Sequence, residues 1–565
     1  MGSPYNLGGS ASQLFFQIKD SAEYKALTLI SSLPHPQRTL LSLFVEGAVD
    51  REHAAEFFLE EISEQGESAM LGFLDNWTRL VDKIRPVLCR DVDDSLKQTV
   101  WERDKGQCCI SGARDNAIGT DQLLLTFILP PWLLNESEMA EQGILYRMLK
   151  VYIGDSHLLN VQSLINQNSS ASLSASSDQL LLLSTPDFDH FENGRFSLKR
   201  MRTAKDSPRY LVCQHEVLPS VEIKLESDIV EFEMKATESA LPPNQHLLEA
   251  HHRFAEALSW LEVSRYMKQP PPSSHVPGST WSRRICWPMF RIIQYLWLNV
   301  PVSIRAFTYE RLAIIGHRLY GPTLSDRTHR LPFNLYLRIA PIKWAPKHRA
   351  EFQSLQLVEK YTDIPAPRAV DTAQHSEYSY LLMTRVSGQP IGKMLAIMTD
   401  EKIAIAVQDL KKYLAGLQHI PNTTGSGFQI CNSLGAGILD WRIGDSQREE
   451  LKFKSEAEFN QYLTSPFDES TQKQAEKAHH RKHGIVFTHN DLNPRNVLAD
   501  ETGKITGIVD WECSGWFPEH WEYTKAHFAV RYTIRWLADV VDRVFPDYRE
   551  ELWVENMLSD LAPPF

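Results

Sequence analysis

The stretch Thr488-His489-Asn490-Asp491-Leu492-Asn493-Pro494-Arg495-Asn496-Val497-Leu498 decides how the C-terminal half of this chain folds. An apolar run, Ile485-Val486-Phe487, leads into it and Val497-Leu498 leads out; both read as short strands around a polar loop. Asp500 to Gly503 is a turn signal, and Ile505 to Val509 is a further apolar run ending on Asp510. The pattern predicts a hairpin, Val497-Leu498 against Ile505 to Val509. Asp491 and Asn496 then lie in the loop before it, and Asp510 lies at its exit.

These residue types share a chemistry. Phosphoryl transfer needs metal ions on hard oxygen ligands, a group that orients the acceptor hydroxyl, and cations on the phosphates. Asp491 is placed to accept the acceptor's proton or hydrogen bond. Asn496 can turn its amide oxygen to a Mg²⁺ from the start of the next strand, and Asp510 supplies a carboxylate able to bridge metal ions. Upstream, Leu335 to Ile339 reads as a strand between Pro332 and Pro341, and His348 to Tyr361 as a helix with Phe352, Leu355 and Val358 on one face. Tyr380 to Met383 is another strand, and Ile403 to Ile420 a long amphipathic helix stopped by Pro421.

The run His489-x-Asp491-Leu492-x-x-x-Asn496 and the run Ile508-Val509-Asp510-Trp511 resemble motifs of the aminoglycoside phosphotransferase family, within the protein-kinase-like superfamily. Trp511 to Lys525 (WECSGWFPEHWEYTK) resembles its fungal members, and the resemblance runs over residues 300 to 540. It implies an α+β, two-lobed protein-kinase-like fold, with ATP and Mg²⁺ as cofactors. By it Asp491 is the catalytic base, Asn496 and Asp510 are metal ligands, and His489 is a packing residue that braces the loop. Trp511 replaces the Phe-Gly of the protein kinases' D-F-G, which tilts the acceptor toward a small-molecule hydroxyl. A phosphate-contacting Lys is implied on the strand that here carries Arg338, with Glu351 as its partner. Arg for Lys is not conservative, because a planar fork and a compact ammonium place charge differently. Gly316 to Gly321 is the expected turn over the phosphates, and Met383, Thr384 and Val386 form the expected adenine-facing hinge. Glu519 and Glu522 read either as the lining of an acceptor pocket favouring a cationic substrate or as solvated acids at a helix start. Trp516, Trp521 and Tyr523 are assigned to packing.

The N-terminal half reads differently. Apolar residues recur at helical spacing through residues 15 to 85, giving a helical segment 1–85. Trp101 to Gly112, Leu180 to Leu183 and Gly194 to Leu198 resemble parts of fungal HNH-nuclease-like domains, implying a small mixed α/β domain over 86–245. An HNH centre needs a water-activating His and metal-binding groups. This chain has Phe127-Ile128-Leu129-Pro130 where a His-Ile-Ile-Pro is implied, and His190 alone near a second position. Cys108 and Cys109 are adjacent and lack the spacing of a zinc knuckle. The domain is read as degenerate, a scaffold or protein-partner surface. Within it, Asn166 to Ser177 reads as a Ser- and Asn-rich surface loop; a helix (Leu247 to Tyr266) and a Pro-rich linker (Pro270 to Ser279) then form the 246–299 connection to a kinase-like domain over 300–545.

Bulk composition narrows the function. A net charge of −12 argues against nucleic acid as the partner, and short clusters such as Arg195, Lys199, Arg200 and Arg202 read as solvated faces. Seven scattered cysteines form no disulfide framework, which points to a reducing, cytoplasmic setting. Ile285 to Val300 is too short, and interrupted by Arg291 and Gln294, to span a membrane; it reads as a buried helix. The resulting expectation is an ATP- and Mg²⁺-dependent phosphotransferase acting on a small-molecule hydroxyl. The alternatives are a nucleotide-binding pseudokinase or scaffold, and a protein Ser/Thr kinase.

Overall fold

The computed structural model describes residues 21–62, 66–90, 93–114, 122–165, 176–201, 208–215, 227–232, 241–269, 287–323, 326–529, 535–546 and 548–561. The Pro-rich linker, Arg202 and most of the Ser- and Asn-rich loop lie outside them. The chain divides into two compact units, one built essentially from residues 15–271 and one from 272–565.

In the N-terminal unit four helices, α1 (Ala22–Ile30), α2 (Gln37–Glu46), α3 (Arg51–Ile62) and α4 (Gly66–Lys83), realise the helical periodicity. They precede β1 (Val87–Leu88), α5 (Asp94–Arg103) and β2 (Leu123–Phe127). Next come α6 (Ile144–Ile153), α7 (Asp155–Ile165), β3 (Leu180–Ser184) and α8 (Thr185–Glu192). The unit ends with β4 (Phe196–Arg200), β5 (Arg209–Gln214), β6 (Ile229–Glu231) and α9 (Gln245–Met267). Two antiparallel sheets result, ordered β1-β2-β3 and β4-β5-β6. The long helix α9 is part of this unit: its Phe254 packs within 4.6 Å of Tyr152 and 5.6 Å of Trp77, ring centre to ring centre. Phe127 is buried on β2, and His190 is buried on α8, with its Nδ1 at 3.0 Å from Arg195. Cys108 donates to Asp187 at 3.1 Å.

The C-terminal unit opens with α10 (Trp287–Leu298) and α11 (Val302–Tyr320). The helix read as buried, α10, is a correction: Ile292, Tyr295 and Leu296 are exposed. It meets the sheet through Gln294, which donates to Val370 O at 2.8 Å, while Trp297 donates to the Tyr309 hydroxyl of α11. Gly316 to Gly321 is also corrected. It is the last turn of α11 and its cap, not a loop, and a Cβ on Gly316 would lie 2.0 Å from Arg330 O.

A four-stranded antiparallel sheet follows, ordered β7 (Thr328–Leu331), β8 (Leu335–Pro341), β10 (Tyr378–Thr384), β9 (Ala369–His375), with α12 (Ala345–Tyr361) between β8 and β9 in sequence. Side chains alternate across it. Leu337, Tyr380 and Leu382 pack with Ala306, Tyr309 and Ala313 of α11. Leu381 and Met383 turn the other way, onto Leu355 and Val358 of α12. Arg338, next to Leu337 and paired with Leu381, therefore faces α12.

Beyond the sheet come β11 (Gln389–Pro390), α13 (Asp400–Leu417), β12 (Cys431–Asn432), α14 (Glu456–Thr464) and α15 (Glu469–His479). They are followed by β13 (Ile485–Thr488), β14 (Val497–Ala499), β15 (Ile505–Ile508), β16 (Gly515–Pro518), α16 (Trp521–Ala529) and α17 (Arg549–Leu561). Thr399 caps α13, whose Ile403, Ala406, Val407 and Leu410 enter the core. The predicted hairpin is present as β14 against β15, and β13 pairs with β16. Gly388, at φ 112, lets the chain leaving the four-stranded sheet approach β15, where a Cβ would meet the Thr506 hydroxyl at 2.0 Å. No helix among the described residues is long and apolar enough to cross a membrane.

Candidate active site

The loop after β13 is held from several sides. The chain turns at Asn490, in the left-handed region (φ 62), which an Asn tolerates better than most residues. The Asn490 side-chain amide donates to Leu439 O (3.0 Å) and Cys513 O (3.2 Å). Glu522, at the start of α16, accepts the His489 N–H at 2.6 Å and the Asn490 N–H at 3.1 Å. His489 is fully buried, which holds its ring below the usual imidazole range. As a neutral ring it donates from Nε2 to Val509 O (2.9 Å) and accepts the Asp491 N–H at Nδ1 (3.2 Å). Its edge contact with Trp511 completes the brace, with ring centres 4.6 Å apart.

Two functional side chains then meet. Asn496 donates from Nδ2 to both Asp491 O and Asp491 Oδ2 at 2.9 Å. Its amide oxygen takes no part in these two bonds. Asn493 closes the turn between them, its Oδ1 accepting the Arg495 N–H at 2.9 Å. Burial, then the nearby charge of Asp510, pushes the Asp491 carboxyl up to about 6.

Asp510 leaves β15 in the left-handed region (φ 70) and meets Arg338. The guanidinium spans three carboxylates: Glu351 at 2.7 Å, Asp510 at 2.6 Å and Glu512 at 3.4 Å. Burial raises the Glu351 carboxyl, with Arg338 opposing. Burial works the same way on Asp510, but there Arg338 prevails and holds the carboxyl low. The three acids in turn raise Arg338 against the effect of its own burial, so it stays charged.

The structure thus brings Asp491, Asn496, Asp510, Arg338, Glu351 and His489 into one site. Other expected residues fare differently. Glu522 is buried, its carboxylate accepts two backbone N–H groups, and it borders the same cavity as Glu519. Glu519 is half-buried beside a cavity of about 160 Å³, with Lys411 and Tyr548 on its walls. Met383 is core. The Thr384 N–H is taken by Arg368 O at 3.0 Å, so it is not available to read a base. Val386 lies over Gly507, where a Cβ would come within 2.8 Å of Val386 Cγ1. Trp516, Trp521 and Tyr523 are buried.

Sequence reading missed Glu512, Asn490, Asn493 and a buried pair behind the loop. Lys525 donates to Asp440, which also accepts the Trp521 indole N–H at 2.9 Å. Both members are almost fully buried, and Lys525 lowers the carboxyl of Asp491 against its burial. A charged residue inside the tryptophan-rich run Trp511 to Lys525 was the available signal for the pair.

Residues 324–553 match the model of the phosphotransferase enzyme family. Similar solved structures include a GDP complex of a mutant aminoglycoside 2′-phosphotransferase of type IIIa, at 16% identity. That match covers 45% of this chain and 88% of the other, with a TM-score of 0.30. An aminoglycoside phosphotransferase APH(3″)-Id from Streptomyces rimosus is 16% identical over 46% and 98% of the two chains, with a TM-score of 0.31. A macrolide 2′-phosphotransferase, MphH, from Brachybacterium faecium is 13% identical over 44% and 89%, with a TM-score of 0.28. No curated protein matches the chain.

Proposed function

We propose that the C-terminal unit transfers the γ-phosphate of ATP to a hydroxyl of a small molecule. The observation that carries this is the junction of Asp491, Asn496 and Asp510 at the ends of β13, β14 and β15, with Arg338 reaching Asp510. The donor set fits Mg²⁺: an amide oxygen of Asn496 and the carboxylate of Asp510 are hard oxygen ligands. Bound there, Mg²⁺ supplies charge neutralisation on the β- and γ-phosphates. Asp491 accepts the hydrogen of the acceptor hydroxyl and aligns its oxygen for attack. Asn496 holds Asp491 in place through the 2.9 Å hydrogen bond. Arg338, fixed by the buried Glu351, is the cation for the phosphates, and it releases Asp510 when the nucleotide enters. The segment from Arg385 to Val386 borders the adenine. In the N-terminal unit, the buried Phe127 and the Arg195-capped His190 support a role without nuclease chemistry.

The test is transfer from γ-labelled ATP into a small-molecule extract. Label is expected in the small-molecule fraction with wild-type protein and Mg²⁺, and not with Asp491→Ala. Label found only on protein would instead support a protein kinase.

A further inference from the structure

The C-terminal unit holds a second cluster of metal-ligating side chains, apart from the loop that carries Asp491. Glu456 is the first residue of α14, His483 lies two residues before β13, and His520 joins β16 to α16. One ligand atom from each lies within 4.8 Å of the others. Glu456 Oε2 accepts the backbone N–H of His483 at 3.0 Å, which places Oε1 2.7 Å from His483 Nδ1. The far nitrogen of the same ring, Nε2, is 3.0 Å from Glu551 Oε1. The ring of His520 packs on that of His483 with centres 4.4 Å apart. His520 is 4% exposed, and its Nδ1 is buried without a hydrogen-bond partner.

A carboxylate only accepts hydrogen bonds. With Nε2–H donating to Glu551, the Nδ1 lone pair of His483 points at a carboxylate oxygen, and a cation must sit between them. A proton serves one nitrogen and one oxygen, and it leaves the Nδ1 of His520 without a partner. A dication serves all three groups. Two imidazoles and one carboxylate suit a borderline ion such as zinc, whereas Mg²⁺ takes oxygen ligands. Glu551 on the outer N–H of His483 is the carboxylate–histidine pair that orients metal-bound imidazoles.

We propose that Glu456, His483 and His520 bind one transition-metal dication of the zinc class, at a site separate from that of the nucleotide's Mg²⁺. Bonds of about 2.0–2.1 Å at tetrahedral angles set ligand atoms about 3.3 Å apart, so the Glu456–His483 contact opens by about half an ångström on binding. The bound ion ties the start of β13, which leads to the Asp491 loop, to the start of α16, which carries Glu522. Its role is a structural brace, with one coordination position left to water.

The full chain, stripped with chelator and dialysed free of Mg²⁺ and nucleotide, is titrated with cobalt(II) and then zinc(II). One equivalent of cobalt with the intense visible bands of a tetrahedral site is expected, displaced by one equivalent of zinc. Glu551→Gln weakens uptake about 10- to 100-fold. The His520→Asn and Glu456→Gln variants, and the pair together, lose the bands while circular dichroism shows them folded. Asp510→Asn retains the equivalent, because that carboxylate belongs to the other site. Wild-type protein that takes up no more cobalt or zinc than the folded double variant overturns the proposal. So does loss of the equivalent in Asp510→Asn.

Discussion

Replacing Asp491 by Asn is expected to raise stability while abolishing transfer. Burial, then the charge of Asp510, pushes the Asp491 carboxyl from an ordinary 3.8 to about 6. Each unit is worth about 1.36 kcal/mol, so holding this group ionised in the folded protein at neutral pH costs about 3 kcal/mol. The folded state keeps the proton to higher pH than the unfolded chain does. Its favourable contribution is therefore complete below pH 3.8 and is lost as the pH rises through about 6. Asn carries no charge, and its amide oxygen still accepts from Asn496 Nδ2. Asp491→Asn should thus be more stable than wild type at pH 7 by up to about 3 kcal/mol, with a difference that shrinks toward zero by about pH 4. Urea melts at a series of pH values, followed through the buried tryptophans Trp511, Trp516 and Trp521, measure this. An Asn variant less stable than wild type at pH 7, or a difference independent of pH, would refute the electrostatic account of the site.

Arg338→Met strands three carboxylates around a cation that is gone, one of them 1% exposed, and should cost about 3–5 kcal/mol in the same melts. Arg338→Lys retains the charge but not the fork, and should recover part of that stability. Glu522→Gln has one acceptor oxygen for the two N–H groups that its carboxylate now serves, so a loss of about 1–3 kcal/mol is expected. That variant should lower kcat more than it raises the KM for ATP, since the loop positions Asp491; steady-state kinetics separate the two. Lys525→Met leaves Asp440 buried without its cation and should destabilise by about 3–5 kcal/mol, read as a fall in Tm.

Much of this architecture is legible in the sequence. The hairpin and its three polar residues stand out because short apolar runs are punctuated by turn residues at every boundary. Arg338 and Glu351 are reached only through the family resemblance; in the structure they pair at 2.7 Å because Arg338 faces the helix that carries Glu351. The burial of Glu522 is hidden in the sequence, because a carboxylate near a helix start looks solvated there. Its burial depends on the pairing of β13 with β16, which brings residue 489 beside residue 522. Gly316 to Gly321 is misread for a related reason. Two glycines suggest a turn, but Gly316 is small so that α11 can approach the backbone of β7. The cluster of Glu456, His483 and His520 leaves no local signature at all, since its members come from three separated segments.

Phosphoryl chemistry at the Asp491 loop is the central claim. The most direct measurement is ADP formation from Mg-ATP by wild-type protein and by Asp491→Ala, with and without a small-molecule extract. A rate that the extract stimulates in the wild type, and that Asp491→Ala abolishes, is the predicted result. Equal rates in the two proteins, or no stimulation by any fraction of the extract, would contradict it.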